Sequence, residues 1–498
     1  MSGELLLGLD IGTQSSKGVL ARPDGELVAR AERPHRLSLP RPGWAEHDAE
    51  AAWWGDVLAL LDELLDGDGD AVAALCVSGI GPCVLAADAA GAPLRPAILY
   101  GIDTRATSEI AELTDRYGGD AILERCGSPL TSQAVGPKLA WLRRHEPAVW
   151  ARMERWFMAS SFVVQRLTGE YVLDRHSASQ SDPLYDISAT RFADDWAAEV
   201  APGLALPRLL WPGEVAGEVS GAAAAATGLA AGTPVCAGTI DAWAEAVSVG
   251  VRRPGEVMMM YGSTMFLVQM LAHPAADARL WGTLGVEPGT HCLAAGMATS
   301  GTLAEWLRQL CGAPPYEELT AEARALPAGA EGLLALPYFA GERTPLFDPA
   351  ARGLVCGLTL RHGRGHIYRA MLEATAYGVR HNLEALEEAG GASRRLVAVG
   401  GGTRGDLWTQ IVSDVTGRPQ DLPQETLGAA YGDAWLAAVA VGLTPAERDW
   451  TQIGAVVEPA EANAARYDEL YGHFRALYGA TAEVSHALAE LQDVPAAS

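Results

Sequence analysis

Residues 5–20 read LLLGLDIGTQSSKGVL: an apolar run, a polar turn and a second apolar run. The first run has strand propensity, so it predicts a buried strand that delivers the carboxylate of Asp10 to a sharp turn. Lys17 follows as the chain turns back. In such a turn, backbone N–H groups and hydroxyls can face phosphate oxygens while the carboxylate faces a divalent metal. The alternative is an ordinary β-hairpin whose polar turn lies in water.

The composition is that of a globular protein with a large acidic excess. The chain has 498 residues, which is enough for two large domains, and its net charge is −25. We therefore predict no nucleic-acid partner and no membrane partner, because nothing supplies the basic surface that either would need. An anionic ligand must instead be held by backbone amides, a few cations and a metal ion.

Cysteine usage and the lack of targeting patterns both favour a cytoplasmic protein. The seven cysteines are scattered with no CxxC pair, which is typical of reduced thiols rather than of a disulfide framework. We find no signal-peptide pattern and no apolar stretch of the length that a membrane helix needs. Cytoplasmic localisation is thus the expectation.

Lysine is rare in this sequence, although basic residues are not. Lys17 and Lys138 are its only lysines, and arginine is used everywhere else. A lysine retained against such a bias indicates a position that needs a compact ammonium rather than a planar guanidinium. Chance survival at two neutral positions is the alternative.

The alternation of strand and helix patterns predicts an α/β protein. After the opening run, strands at 17–21 and 27–32 complete a three-stranded meander. Asp48 can cap a helix whose apolar residues, from 54 to 65, recur at helical spacing. Further strands are predicted at 71–78, 84–87 and 97–100.

The second half begins in the same way as the first. Residues 255–260 form an apolar run that leads to Gly262, Ser263 and Thr264, and another apolar run follows at 265–270. Strand, turn and strand is a common arrangement, so this echo alone is weak evidence. It still suggests two related domains with facing phosphate loops, whose turns could clamp one nucleotide from opposite sides.

A glycine-rich segment follows the strand predicted at 396–399. Three glycines at 400–402 stand before a helix predicted at 406–416, an arrangement that lets the backbone approach a flat ligand or a phosphate closely. A flexible loop is the alternative. The small-residue helix predicted at 427–441 is expected to pack beside this segment, and residues 494–498 are expected to be frayed.

Several of these motifs together resemble the FGGY family of carbohydrate kinases. The opening DIGTQSSK at 10–17 is similar to the family's first phosphate motif, and KLAWL at 138–142 is similar to one of its signatures. A second, longer signature is matched by GLVCGL at 353–358, followed at the family's spacing by HI at 366–367 and AMLE at 370–373. The similarity extends over nearly the whole chain.

The resemblance implies an α/β fold of two actin-like (ribonuclease H-like) ATPase domains with an interdomain cleft. Residues 1–244 would form the N-terminal domain, with the sugar site, the first phosphate loop and the catalytic aspartate. Residues 245–498 would form the C-terminal domain, which binds the nucleotide. ATP and Mg²⁺ are implied, together with a small sugar or polyol substrate, and a homodimer is a common assembly among such enzymes.

Asp241 is the candidate catalytic residue. It stands in AGTIDA at 237–242, after a predicted strand and a glycine turn, where a small-residue helix begins. From the residues alone, helix N-capping is the more common role for such an aspartate. The resemblance implies instead that Asp241 accepts the proton of the sugar hydroxyl as that hydroxyl attacks the γ-phosphate.

The resemblance also implies the nucleotide and metal contacts. Asp10 would hold Mg²⁺ through water, and Lys17 would neutralise charge near the γ-phosphate. Amides and hydroxyls would grip the phosphates from two turns, formed by Gly12, Thr13 and Gln14 and by Gly262, Ser263 and Thr264. Gly301 is a further candidate in the nucleotide cleft, and Gly401 and Gly402 would lie against the adenine or ribose.

The expected sugar site departs from the family pattern. Xylulokinase-like members carry a Gln-Met-His-Gly type of segment after a Ser-Gly, and here Pro82 stands at the histidine position and has no donor. The site is therefore less polar, or its donors come from elsewhere. A structural Asp103–Arg105 pair, and a Trp44 that only packs beneath its loop, are alternatives to substrate contact. The substrate candidates are Gly79, Ile80, Gly81, Pro82, Tyr100, Asp103, Arg105 and Trp44.

These patterns predict an ATP:sugar phosphotransferase with an alcohol group as acceptor. It would act on a primary hydroxyl of a small ketose or polyol, with a pentulose as the first candidate. A kinase for a non-sugar hydroxyl metabolite is one alternative, which the altered segment 80–83 favours. A non-catalytic ATP- or sugar-binding regulator is another, because fold alone does not establish function, but the presence of Asp10, Lys17 and Asp241 argues against it.

Overall fold

A computed structural model describes residues 4–492 as an α/β protein of two compact units. The two-domain α/β organisation predicted from the sequence is confirmed, whereas the predicted boundary between residues 244 and 245 stays a prediction. The predicted frayed segment 494–498 lies outside the described residues. Of the described residues, the first unit takes 4–254, 270–292 and 427–451, and the second takes 255–269, 293–426 and 452–492.

Strands and helices alternate along most of the chain. The strands are β1 (Leu5–Ile11), β2 (Ser15–Ala21), β3 (Leu27–Pro34), β4 (Glu46–His47), β5 (Val72–Gly79), β6 (Leu85–Ala87), β7 (Ala97–Ile98), β8 (Arg155–Phe157), β9 (Val172–Asp174), β10 (Tyr185–Asp186), β11 (Arg191–Phe192), β12 (Arg208–Leu210), β13 (Val215–Glu218), β14 (Pro234–Cys236), β15 (Thr239–Ile240), β16 (Glu256–Tyr261), β17 (Met265–Leu271), β18 (Trp281–Leu284), β19 (His291–Met297), β20 (Leu334–Leu336), β21 (Leu354–Cys356), β22 (Arg395–Val399), β23 (Gln420–Pro423) and β24 (Ile453–Val457).

The helices follow the same order along the chain. They are α1 (Gly55–Leu65), α2 (Thr107–Tyr117), α3 (Gly119–Cys126), α4 (Val135–His145), α5 (Pro147–Trp150), α6 (Ala159–Thr168), α7 (Arg175–Ala178), α8 (Asp194–Val200), α9 (Gly221–Thr227), α10 (Asp241–Ser248), α11 (Gly301–Leu310), α12 (Tyr316–Arg324), α13 (Arg364–Gly390), α14 (Asp406–Thr416), α15 (Ala429–Ala440) and α16 (Glu461–Gln492). Short helical turns lie at Ala49–Trp54, Gly69–Ala71, Ala330–Gly332 and Gly401–Arg404. Among residues 4–492, none of these helices is both long enough and apolar enough to span a bilayer.

The first unit is built on a mixed sheet with β1 near its centre. The strand order is β13-β14-β5-β1-β2-β3, and β15 adds a second pairing to β5. β1, β2 and β3 form the predicted antiparallel meander, and β5 runs parallel to β1. Asp48 caps the helical turn that leads into α1, as predicted, because its Oδ1 accepts the N–H groups of Glu50 and Ala51.

Strand β1 sends its side chains alternately to the two faces of this sheet. Leu7, Leu9 and Ile11 are fully buried and belong to the apolar core that also contains residues of α1 and α6. On the other face, α15 packs against β1, β5 and β2 and also against α10. Gly8 lies directly beneath α15, since a Cβ at this position would be 1.8 Å from the backbone oxygen of Ala430. Asp10, two residues further along, is on this same face.

The sequence suggested that α15 could pack beside the glycine segment at 400–402. Within the first unit this helix lies on β1, a partner that the sequence did not predict. The physical reason is its small-residue composition, which lets its backbone approach a glycine in β1 and which also lets α10 approach at Gly432. A local pattern of small residues indicates that another element packs closely against the helix, but it does not indicate which element.

The second unit repeats the arrangement at the centre of the first. β16 and β17 form an antiparallel hairpin, and β22 pairs with β16 in parallel, as β5 pairs with β1. β23 then joins β22 in parallel, and β24 closes this edge antiparallel to β23. The glycines at 400–402 follow β22 directly, and α14 begins and ends at the predicted residues.

We expect Gly8→Ala to destabilise the protein by about 3 kcal/mol, because the added methyl group would meet backbone rather than a movable side chain. The measurement is the free energy of unfolding from urea denaturation. Gly479→Ala is the matched control: this residue lies in α16 with no atom within 4 Å of an added Cβ, so the substitution should stabilise the helix by up to about 1 kcal/mol. Equal stabilities for the two variants would contradict the packing described here.

Candidate active site

Asp10 lies near the end of β1 between a lysine and a serine on the neighbouring strands. Lys17 of β2 and Ser78 of β5 are its direct partners in register. The side chain of Asp10 is buried, and among residues 4–492 its Oδ1 has no hydrogen-bond partner. Lys17 is exposed, so its ammonium is available to an anionic ligand.

Asp241 begins α10 and faces the same cluster. β15, which ends at Ile240, pairs with the end of β5 and so brings Asp241 to the same edge of the sheet as Asp10. The Oδ1 atom of Asp241 accepts the N–H of Ala242 at 2.7 Å, while Ile240 holds the N-cap position itself. The common capping role of an aspartate is therefore not the one that Asp241 fills.

The acidic side chains of this cluster all have raised pKa values. Burial raises the pKa of Asp10 to about 8, the Asp241 carboxylate adds to this rise, and the Lys17 ammonium opposes it. Burial also raises the pKa of Asp241 to about 6, against the Ala242 N–H and Lys17. Glu245, one turn further along α10, has its pKa raised to about 7 by burial and by Asp241, again against Lys17. One ammonium thus serves three acidic groups.

A fourth carboxylate supports the cluster from α15. Asp433 is fully buried, and its Oδ2 accepts hydrogen bonds from the N–H of Ser78 at 3.0 Å and from the Ser78 hydroxyl at 2.5 Å. The thiol of Cys76 approaches Oδ1 at 3.6 Å. Burial is the main cause that raises the pKa of Asp433 well above its usual range, and the charge of Asp10 adds to it. Asp433 thereby fixes the residue that neighbours Asp10 on β5.

The phosphate-loop candidates form a tight turn after β1. The N–H of Gly12 donates to the backbone oxygen of Ser15 at 3.0 Å, which closes the turn. The hydroxyl of Thr13 lies 3.0 Å from the hydroxyl of Tyr100, so the predicted substrate residue Tyr100 contacts the loop. Gln14 is exposed at the tip of the turn.

The altered segment of the expected sugar site packs next to Asp241. Gly79 is the register partner of Ile240, and the N–H of Ile80 donates to the backbone oxygen of Ile11 at 2.8 Å. Ile80 and Pro82 are buried, and Gly81 between them is partly exposed. The structure therefore brings residues 79–82 to the end of the strand from which Asp241 follows, and the exposed part of this turn is backbone.

Asp103 and Arg105 are occupied by contacts within the protein. The Asp103 carboxylate accepts the N–H of Ala45 at 2.7 Å and the guanidinium of Arg105 at 2.7 Å. Arg105 also pairs with Glu46 at 2.8 Å, and its guanidinium lies 3.9 Å from the ring centroid of Trp44. Both charged side chains are almost completely buried. These contacts favour the structural alternative for the pair, and they favour a Trp44 that packs against it.

The nucleotide candidates of the second unit line a single cavity of about 970 Å³. This volume is in the range of small-molecule sites, roughly 300–1,000 Å³. The N–H of Gly301 donates to the backbone oxygen of Gly262 at 3.0 Å, which ties two of the lining turns together. Aromatic rings of Tyr261 and Trp408 supply flat walls. The predicted residues that line the cavity are Gly262, Ser263, Gly301, Gly401 and Gly402, whereas Thr264 lies in the adjoining turn and is not a lining residue.

Comparison with known proteins identifies the family of this chain. The model of the N-terminal domain of the FGGY family of carbohydrate kinases matches residues 5–248, and the model of the C-terminal domain matches residues 257–441. The chain belongs to the FGGY family of carbohydrate kinases. As a member of that family it is a phosphotransferase with an alcohol acceptor.

Individual relatives of this FGGY kinase carry different substrate names. The crystal structure of xylulose kinase from Rhodospirillum rubrum has a TM-score of 0.89 and 37% identity, and covers 97% of this chain and 100% of that one. The xylulose kinase of Escherichia coli is 30% identical over 88% of this chain and 90% of its own. A glycerol kinase of Nocardia farcinica is 29% identical over 87% of this chain and 89% of its own.

The residues of this FGGY kinase fit a magnesium ion bound together with nucleotide phosphates. In the part of the chain that the structure describes, no three His, Cys, Asp or Glu side chains converge as a metal cage. Mg²⁺ is usually held by one or two carboxylates plus phosphates and water, so a protein cage is not required. The buried Oδ1 of Asp10, which has no partner in residues 4–492, is a suitable ligand atom.

Two acidic residues of this kinase site were missed by the sequence reasoning. Glu245 could have been found, because it stands four residues after Asp241 and so on the same helical face. No pattern in the neighbouring sequence could have indicated Asp433, because its partners Ser78 and Cys76 lie more than three hundred residues earlier in the chain.

Lys138, one of the kinase's two lysines, has a structural role that explains its retention. Its side chain is buried, and the ammonium donates to the backbone oxygens of Ser132, Gln133 and Ala134 at 2.6, 3.2 and 3.1 Å. Burial lowers the pKa of Lys138 to about 8, so at pH 7 the ammonium form still predominates. The side chain of Gln133 in turn accepts the N–H of Gly101, next to Tyr100. A compact donor with three hydrogens suits this loop better than a planar guanidinium.

We expect Lys138→Arg to lower the free energy of unfolding by about 1–3 kcal/mol, because the larger fork cannot serve three carbonyls in the same enclosed space. Urea denaturation measures this effect. The same substitution at the exposed Lys17 is the control and should leave the unfolding midpoint unchanged. A Lys138→Arg protein as stable as the wild type would show that the loop does not need an ammonium.

Proposed function

We propose that this protein transfers the γ-phosphoryl group of ATP to a primary hydroxyl of a small ketose, with a pentulose as the first candidate. The observation that carries the proposal is the cluster of Asp241, Asp10 and Lys17 at one edge of the first unit's sheet, beside the turn 79–82. It combines a base, a metal ligand and a cation, which are the parts that phosphoryl transfer needs.

Asp241 is the general base of the proposed reaction. Its carboxylate takes the proton of the acceptor hydroxyl as the hydroxyl oxygen forms a bond to the γ-phosphorus and the bond from that phosphorus to the β-phosphate oxygen breaks. ADP is the leaving group, and the proton stays on Asp241 until solvent removes it. The pKa of about 6 keeps Asp241 ionised at neutral pH but still basic enough to accept a proton.

Asp10, through a bound metal ion, and Lys17, through its ammonium, would neutralise the negative charge of the phosphates. Asp10 would hold Mg²⁺ directly or through water, and the bound ion would neutralise charge on the β- and γ-phosphate oxygens. Lys17 points its exposed ammonium from the neighbouring strand to the same region. The amides of Thr13 and Gln14 would bind phosphate oxygens in the turn that Gly12 closes, and the cavity of the second unit would bind the base and ribose.

The acceptor class rests on the relatives and on the surface next to Asp241. Several relatives are named xylulose kinases, which supports a pentulose. A polyol is the second candidate, because glycerol kinases are similar at comparable identity and because Pro82 offers no hydrogen-bond donor to a longer sugar. The burial of Asp103 and Arg105 in contacts with each other leaves the acceptor to be recognised by backbone at 79–82 and by Tyr100.

A panel of acceptors tests this assignment. ADP release by the full-length protein with MgATP is followed by a coupled assay over four- to six-carbon ketoses, polyols including glycerol, and lactone-type compounds. The proposal expects the highest kcat/KM for a five-carbon ketose. A polyol that exceeds every ketose would replace the acceptor class, and ADP release that no panel member raises above background would overturn the sugar-kinase proposal.

We expect Asp241→Asn to lower kcat by about 10²–10⁴-fold, because the amide cannot accept the proton. For the wild type, kcat/KM for the acceptor should fall as pH decreases through about 6, since only the ionised carboxylate is a base. Steady-state kinetics between pH 5 and 9 would measure both effects.

Asp194→Asn is the control for this substitution. Asp194 is an exposed aspartate in the first turn of α8, so its variant should retain wild-type kinetics. If Asp241→Asn stays within about tenfold of the wild type, or if the acid limb of its profile is unchanged, Asp241 is not the base.

A further inference from the structure

The turn between β1 and β2 is held from outside by one histidine that makes two hydrogen bonds to it. The backbone N–H of His35, just after β3, donates to the backbone oxygen of Gln14 at 2.9 Å. The ring Nε2 of the same residue lies 3.1 Å from the backbone oxygen of Gly12. His35 therefore binds two carbonyls of the turn that the proposed function assigns to phosphate.

Fixing these carbonyls also fixes the amides on the other side of each peptide. In a trans peptide the C=O and the following N–H point in opposite directions. When the Gly12 carbonyl points to His35, the N–H of Thr13 must point away from His35, and the same holds for Ser15 when the Gln14 carbonyl is bound. Without these contacts either peptide could rotate and turn its N–H away from an anion.

A carboxylate of α1 completes the arrangement. Nδ1 of His35 lies 2.7 Å from Oδ2 of Asp56, and the same oxygen accepts the hydroxyl of Ser16 at 2.8 Å. Both nitrogens of His35 thus lie within hydrogen-bond distance of oxygen atoms. The His35 and Asp56 side chains are 7% and 14% exposed, so this ion pair is largely shielded from water.

His47 is the neighbouring ring and stays neutral. Its centroid is 4.9 Å from that of His35, and its Nδ1 accepts the indole N–H of Trp53 at 3.1 Å. Burial and the charge of His35 lower the pKa of His47 to about 4. His35 is therefore the ring whose two nitrogens contact both the turn and a carboxylate.

We propose that His35, held by Asp56, is a positioning residue for phosphoryl transfer: it orients the amides of the Gly12–Ser16 turn toward the nucleotide phosphates. The inference rests on the proposed function in that the turn is taken to bind phosphate. It goes beyond that function because His35 would act on the geometry of the turn without contacting the reacting atoms. None of the sequence motifs described above includes His35.

The test compares the affinity of the full-length protein for ATP and for adenosine by titration calorimetry. In His35→Phe the affinity for ATP should fall about 10- to 100-fold, the loss expected for hydrogen bonds made by a charged group. Adenosine has no phosphate and should bind within twofold of the wild type. In steady-state assays KM for ATP should rise while KM for the acceptor stays within twofold.

Two further variants refine the test. His35→Gln can still donate to the Gly12 carbonyl but cannot pair with Asp56 as a cation, so it should recover part of the loss. His486→Phe removes a histidine that makes a similar 2.7 Å contact with Asp348 from α16, and it should bind ATP like the wild type. If His35→Phe does not fold, Asp56→Asn keeps the side-chain volume and should weaken ATP about 3- to 10-fold without affecting adenosine.

Several results would overturn the proposal. One is an ATP affinity of His35→Phe within threefold of the wild type, and another is an equal loss for ATP and adenosine, which would indicate general damage. No recovery in His35→Gln would also contradict it. If the wild type phosphorylates no acceptor, the acceptor class fails, while the comparison of ATP with adenosine still decides the role of His35.

Discussion

The backbone oxygen of Ala430 occupies the place that a side chain at residue 8 would need. Because β1 has a glycine there, α15 can lie directly on the strand, and a second glycine, Gly432, lets α10 approach the same helix to the point where a Cβ would be 2.0 Å from the oxygen of Ala244. The three elements then deliver one carboxylate each: Asp10 from β1, Asp241 from α10 and Asp433 from α15. The chemistry of the first unit therefore depends on two positions that carry no functional group at all. A bulkier residue at either would separate the acids before it affected any of them directly.

The electrostatics of this cluster are unfavourable until a cation joins it. Three acidic side chains share one ammonium, a fourth stands beside Asp10, and burial makes each of the four harder to ionise. Such an arrangement favours the binding of a cation, for example a divalent ion that enters together with a nucleotide. The whole chain carries a net charge of −25, so repulsion of a phosphate ligand must be overcome locally. The ordered turn after β1, with its amides and the exposed ammonium of Lys17 nearby, supplies the local positive potential that the overall charge does not.

The sequence was sufficient for the parts of the structure that depend on local chemistry. The meander β1–β3, the capped helix after Asp48 and the bounds of α14 follow from turn residues, a capping side chain and a terminal glycine, and they are confirmed. It was not sufficient where a contact joins distant segments. α15 has a small-residue surface that fits several partners, and Asp433 meets Ser78 only because of where that helix lies. The Asp103–Arg105 pair shows the same limit: an aspartate two residues from an arginine predicts an ion pair, but its burial against Trp44 and Glu46 depends on the tertiary fold.

The two lysines differ in a way that has a practical consequence. Lys138 is enclosed with its three hydrogens donated to carbonyls, whereas Lys17 is exposed beside the carboxylate of Asp10. An acylating reagent in neutral solution therefore meets one reactive lysine side chain, and it is the one in the proposed phosphate site. Protection of this lysine from acylation by a bound nucleotide would report occupancy of the site, with no need to remove competing lysines by mutagenesis.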